Sequence, residues 1–181
     1  MKGSYLFLVL IVFDIVVTTT GCKKSQPDNQ LPPETQTGQN TFGALVNSNV
    51  WVPIGNKNTL NPGVQFDEAN ANGTLIIVAN RNPDTLLINS SSLGFVIESL
   101  NKYSYPHTFN LSSTGRNDLN YESYTCNYDT SDPSSVSEAS ITISKLDIPN
   151  GIVSGTFFGT LSKNGCPDIT ITDGRFDIKM Y

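Results

Sequence analysis

The last quarter of the chain constrains its fold more than any other stretch. Residues 139–147 read Ala-Ser-Ile-Thr-Ile-Ser-Lys-Leu-Asp, and residues 151–161 and 168–180 carry two further runs in which apolar and polar residues alternate. Gly, Pro and Asn stand between the runs, so the segment spells three consecutive antiparallel strands. In the first, Ile141 and Ile143 share one face, with Ser140, Thr142 and Ser144 on the other. Asp147-Ile148-Pro149-Asn150-Gly151 is a strong reversal, because Pro presets φ and Asn-Gly accepts positive φ. In the second run Gly155 and Gly159 fall on the apolar face of Val153, Phe157 and Leu161, which predicts a tight bend or another backbone close by. In the third, the apolar parity flips at Asp173-Gly174, so a bulge is expected there. Asp173, Arg175 and Asp177 read as outward charges on an edge strand, guarding against edge-to-edge pairing.

Upstream the same grammar continues. Residues 42–46 and 49–53 form a hairpin around Asn47-Ser48, with Trp51 as a core or rim anchor. Residues 65–69 pair with 74–79 through Asn70-Ala71-Asn72-Gly73, and the apolar run Leu75, Ile76, Ile77, Val78 predicts a strand covered on both faces. Further strands are expected over 86–90, 94–100 and 107–111, separated by polar loops, and residues 121–128 hold three tyrosines and Cys126. The fold class is all-β: an antiparallel meander of about ten strands forming a β-sandwich or a flattened barrel.

The N-terminus has a different character. Lys2 precedes an apolar run over 5–17, about a dozen residues, whereas a spanning helix needs roughly 20. This is the layout of a signal peptide. Thr18-Thr19-Thr20-Gly21-Cys22 resembles a bacterial lipobox, in which cleavage precedes Cys22 and acyl chains attached to its sulfur supply membrane affinity. Thr19 departs from the Leu usual at its position. Residues 22–40 are polar, with Leu31 their only aliphatic side chain, and read as a flexible tether. The expected organisation is therefore a signal peptide at 1–21, a tether at 22–40 after lipidated Cys22, and one all-β domain at 41–181.

Three segments carry a family resemblance: TFGALVNSNVWVP at 41–53, ITISKLDIPNGIVSGTFFGTL at 141–161 and ITDGRFDIKM at 171–180. They resemble the N- and C-terminal signatures of an uncharacterised family of small Bacteroidota lipoproteins. The resemblance implies an exported all-β domain and assigns no catalytic or binding residues. Asp84-Thr85-Leu86 resembles the short O-glycan acceptor motif of the same bacteria.

The formal net charge is −5. Loss of residues 1–21 removes one base, Lys2, and one acid, Asp14, and leaves it unchanged. No basic patch marks a nucleic-acid partner. With Cys22 lipidated, Cys126 and Cys166 remain, an even pair that reads as one disulfide in an exported protein, two buried thiols being the alternative. Closing a loop of about 40 residues contributes roughly 4 kcal/mol on the chain-entropy account.

Motifs with catalytic or metal-binding chemistry are weak. Glu68-x-Asn70-x-Asn72-Gly73 imitates a calcium loop but has Ala79 where a bidentate Glu is required, so a hairpin turn explains it better. Asp129 and Asp132 read as solvated loop acids. Ser99-x-x-Lys102 lacks the companion motifs of a serine nucleophile. His107, the sole histidine, follows Pro106 among Tyr103, Tyr105 and Phe109, with no nucleophile elbow in the chain. No enzyme, cofactor or metal is expected. The expectation is an outer-membrane lipoprotein of the cell envelope, periplasmic or surface-exposed, and a non-enzymatic binding module for an envelope protein or glycan. A lipocalin-like carrier of a small apolar ligand is the alternative.

Overall fold

A computed structural model describes residues 29–55, 60–83, 88–111, 116–133 and 135–180. The signal peptide, Cys22 and Asp84-Thr85-Leu86 lie outside the described residues.

Among the described residues, eleven strands make two antiparallel sheets that pack face to face as a sandwich and do not close into a barrel. They are β1 (Thr41–Val46), β2 (Asn49–Trp51), β3 (Gly63–Asp67), β4 (Thr74–Arg81), β5 (Ser91–Ile97), β6 (His107–Asn110), β7 (Asp118–Ser123), β8 (Asn127–Asp129), β9 (Ser135–Asp147), β10 (Ile152–Lys163) and β11 (Ile169–Lys179). The six-stranded sheet has the order β2-β1-β11-β10-β9-β6, and the five-stranded sheet the order β3-β4-β5-β7-β8.

The three long strands form the expected meander. Gly151 closes the β9–β10 reversal at φ 63°, while the Asp147 carboxylate accepts from the backbone and side-chain N–H groups of Asn150. In the first hairpin Asn47 and Ser48 both adopt positive φ, the twist a two-residue turn requires. The expected bulge is present: Asp173 sits at φ 52°, and the register of β11 slips there against both β1 and β10. Ile169 and Ile171 therefore face the core before it, and Phe176 and Ile178 after it.

The core includes a ring cluster. Phe42, Phe157 and Phe176 come from the six-stranded sheet and Phe95 from the other; Phe95 meets Phe157 edge-on at 4.7 Å, and Phe42 lies 5.2 Å from Phe157. Two glycines, Gly174 of β11 and Gly155 of β10, leave room for close contacts here. A Cβ at Gly174 would stand 2.4 Å from the Phe157 ring, and one at Gly155 would meet the Thr142 carbonyl oxygen at 2.3 Å. Trp51 is buried, stacks edge-on against Phe42 and donates its indole N–H to Ser91 Oγ at 2.8 Å.

Cys126 and Cys166 are bonded, with their Cα atoms 6.1 Å apart. The bridge joins the turn before β8 to the turn between β10 and β11, tying the two sheets together. Beside it the Tyr128 hydroxyl donates to the Pro167 carbonyl, and Lys163 Nζ donates to the Asn127 carbonyl.

Three expectations need correction. The run 75–78 is not covered on both faces: Leu75 and Ile77 are fully buried, but Val78, on the opposite side of β4, is 41% exposed. β11 is not an edge strand, since it pairs with β1 and β10 and lies inside the sheet. Asp177, expected in solvent, is buried at 1% exposure.

Candidate functional site

What buries Asp177 is the segment expected to be tether. Its side chain projects from the outer face of β11, because Phe176 and Ile178 on either side point inward. There it accepts from Thr35 Oγ1 at 2.6 Å, from the backbone N–H groups of Thr37, Gly38 and Gln39 at 3.0, 2.7 and 3.2 Å, and from Ser154 Oγ at 2.8 Å. Burial acts to raise this carboxyl, but the donations from Thr35, Thr37, Gly38 and Ser154 outweigh it and hold it below the ordinary carboxylate value. Lys145 Nζ donates to the Gln36 carbonyl at 3.2 Å, and the Lys179 N–H to Asn40 Oδ1 at 2.9 Å. Pro32 is buried over Gly43, where a Cβ would lie 2.7 Å from its Cδ. Residues 31–40 are thus a strap held on the six-stranded sheet, and the boundary placed at 41 falls inside a bonded segment.

Beside the strap the same outer face opens into a cleft of about 280 Å³. Its floor is cross-strand rows: Thr142 opposite Thr156, itself opposite Arg175, and Ser140 opposite Phe158. Phe158 is 51% exposed beside the hydroxyl side chains of Ser140, Thr142 and Thr156. Thr142 Oγ1 shares a hydrogen bond of 2.8 Å with Thr108 Oγ1. At the rim Arg175 lies between two carboxylates, with Nη1 3.8 Å from Glu34 of the strap and Nη2 4.0 Å from Asp173. Arg175 Nε also donates to the Asp173 carbonyl at 3.0 Å. The bulge creates this rim, because it leaves both Thr172 and Asp173 exposed.

A second cleft of about 300 Å³ lies at the end of the five-stranded sheet. It is lined by the row Asn80, Ser92 and Glu122, by Ser90, and by Tyr124, which is 66% exposed.

The other residues singled out in the sequence have local roles. Asp67 Oδ1 accepts from the N–H groups of Ala69 and Asn70, and Ala71 and Asn72 adopt positive φ, so the calcium-like stretch is a turn. Asp129 caps its own turn through Ser131, and Asp132 lies 3.5 Å from Lys163. Ser99 Oγ donates to the Ala71 carbonyl, and Lys102 ends a short 3₁₀ turn. His107 stacks on Tyr103 with ring centroids 3.8 Å apart and meets Phe109 edge-on. Among the described residues no group of three His, Cys, Asp or Glu side chains is placed to hold a metal.

Sequence reasoning missed the strap and Phe158. The strap's one signal was Leu31-Pro32, an apolar pair in a polar stretch; Phe158 follows Phe157 in a period-two run, which puts one of the two rings outside. No family model, curated protein or solved structure matches this chain.

Proposed function

We propose that the chain is a lipid-anchored lipoprotein of the bacterial outer membrane that acts as a non-enzymatic binding module for an envelope protein or glycan. The observation that carries this reading is the open cleft around Phe158, walled by the strap that leads from Cys22. An exposed aromatic ring among hydroxyls is a recognition surface, combining an apolar contact with directional donors and acceptors. The space between the sheets, where a carrier would hold an apolar ligand, is filled by Phe42, Phe95, Phe157 and Phe176. That packing favours surface binding over the carrier reading, which needs an apolar cavity of some hundreds of Å³.

Two experiments test the proposal. Labelled palmitate should enter the full-length chain and fail to enter Cys22→Ser; equal labelling of both removes the anchor. A photo-crosslinker placed at position 158 in intact cells should recover a defined envelope protein or glycan. Recovery of none, with the protein present at normal abundance, removes the binding module.

A further inference from the structure

Resting on the binding-module reading, we infer that the Phe158 cleft is a site for a neutral glycan and that the strap forms one wall of it. Phe158 lies on β10, an interior strand of the six-stranded sheet, and is half exposed, so a sugar ring can reach it from solvent. The negative face of an aromatic ring attracts the weakly positive C–H face of a sugar ring. Ser140, Thr142 and Thr156 surround it with hydroxyls, each both donor and acceptor, which suits the hydroxyls of a saccharide. The Thr108–Thr142 bond fixes one of these hydroxyls in place.

Charge decides the class. Arg175 stands between Glu34 and Asp173, so the rim holds one cation against two anions and has no surplus positive charge for an acidic polymer. The carboxylates accept from sugar hydroxyls, and the guanidinium donates to them. The volume, about 280 Å³, lies just below the roughly 300–1,000 Å³ of small-molecule pockets, which fits a short length of chain crossing an open face. The wall carrying Glu34 is held by Asp177, which does not itself line the cleft. Saccharide binding and strap docking should therefore strengthen each other.

The test is calorimetric titration of the full-length chain in detergent with maltohexaose, cellohexaose, xylohexaose and chitohexaose, and with oligogalacturonate as the acidic comparison. At least one neutral oligosaccharide should saturate below about 10 mM. Phe158→Ala, a change at an exposed position, should weaken that binding about tenfold or more with its melting temperature kept. Asp177→Asn should weaken it about threefold by loosening the wall, and Glu34→Ala, also exposed, should do the same without disturbing the strap. Saturation by none of the neutral sugars, equal affinity in Phe158→Ala, or a preference for oligogalacturonate would each overturn the inference. If no sugar binds while crosslinking at position 158 still recovers an envelope protein, the binding module stands and the glycan site falls.

Discussion

Thr35 and Asp177 lie 142 positions apart in the chain and are joined by a hydrogen bond of 2.6 Å. Three backbone N–H groups and Ser154 Oγ meet the same carboxylate, so one side chain fastens the segment leading from the N-terminus to an interior strand of the sheet. The arrangement is concentrated: with this acceptor removed, the donors of the strap lose their common partner together.

Asp177→Asn should cost about 2–3 kcal/mol, since hydrogen bonds to a charged group are worth about 1.5–3 kcal/mol and an amide cannot accept from all five donors. Hydrogen exchange locates the effect. The amides of Thr37, Gly38 and Gln39 should lose protection, and those of Ile141 and Ile143 should keep theirs. Unchanged protection at residues 37–39 would show that the strap is held by something else.

The same carboxylate gives a pH dependence with a definite sign. Its folded-state value is lowered by the hydrogen bonds that outweigh its burial. A lowered value contributes stability that is complete above the unfolded carboxylate value, near pH 4, and is lost as pH falls through the folded value. Strap protection should therefore be constant from about pH 8 to 5 and fall in acid below about pH 4. Asp177→Asn should lack the acid step at residues 37–39. A step of equal size in the variant would assign it to another group.

Reduction of the Cys126–Cys166 bridge should lower unfolding stability by roughly 4 kcal/mol, the chain-entropy value for a closed loop of 40 residues. Urea unfolding with and without reductant measures it. A difference below about 1 kcal/mol would mean that the reduced chain keeps the β8 corner closed by other contacts, Tyr128 to Pro167 foremost.

Gly174→Ala should destabilise the domain by at least about 1–3 kcal/mol, because its methyl would enter the Phe157 ring, which is held between Phe42 and Phe95. Gly165→Ala is the comparison. Nothing stands within 4 Å of that site, and its cost should come only from its φ of 81°. Equal thermal shifts from the two would count against the packing account.

Much of the sandwich was legible because period-two alternation is a local property. Ile141 and Ile143, or Ile169 and Ile171, declare their inner face without reference to any other strand. The bulge was legible for the same reason, as a change of parity inside one strand. The rest depended on partners. Asp177 keeps strict alternation between Phe176 and Ile178, so its sequence context is that of a solvated residue. Only the arrival of residues 35–39 over its face makes it a buried acceptor. Val78 misled in the opposite direction: four apolar residues in a row imply two covered faces, yet Val78 stands well exposed on the outer side of β4.

The candidate site followed the same division. Phe158 was visible as one of two adjacent rings, but which of them faced out was fixed by β10 as a whole, whose core face is set by Val153 and Leu161. Glu34, Arg175 and Asp173 come from the strap and from the bulged strand, and no local pattern links them. By itself the sequence determined the strand grammar, the turns and a pair of cysteines able to bridge, because each rests on the spacing or chemistry of the residues concerned. The tertiary structure alone decided the strap, its fastening to Asp177 and the cleft beside it, because these are contacts between segments more than a hundred residues apart, whose energies exist only once the sheet has brought them together.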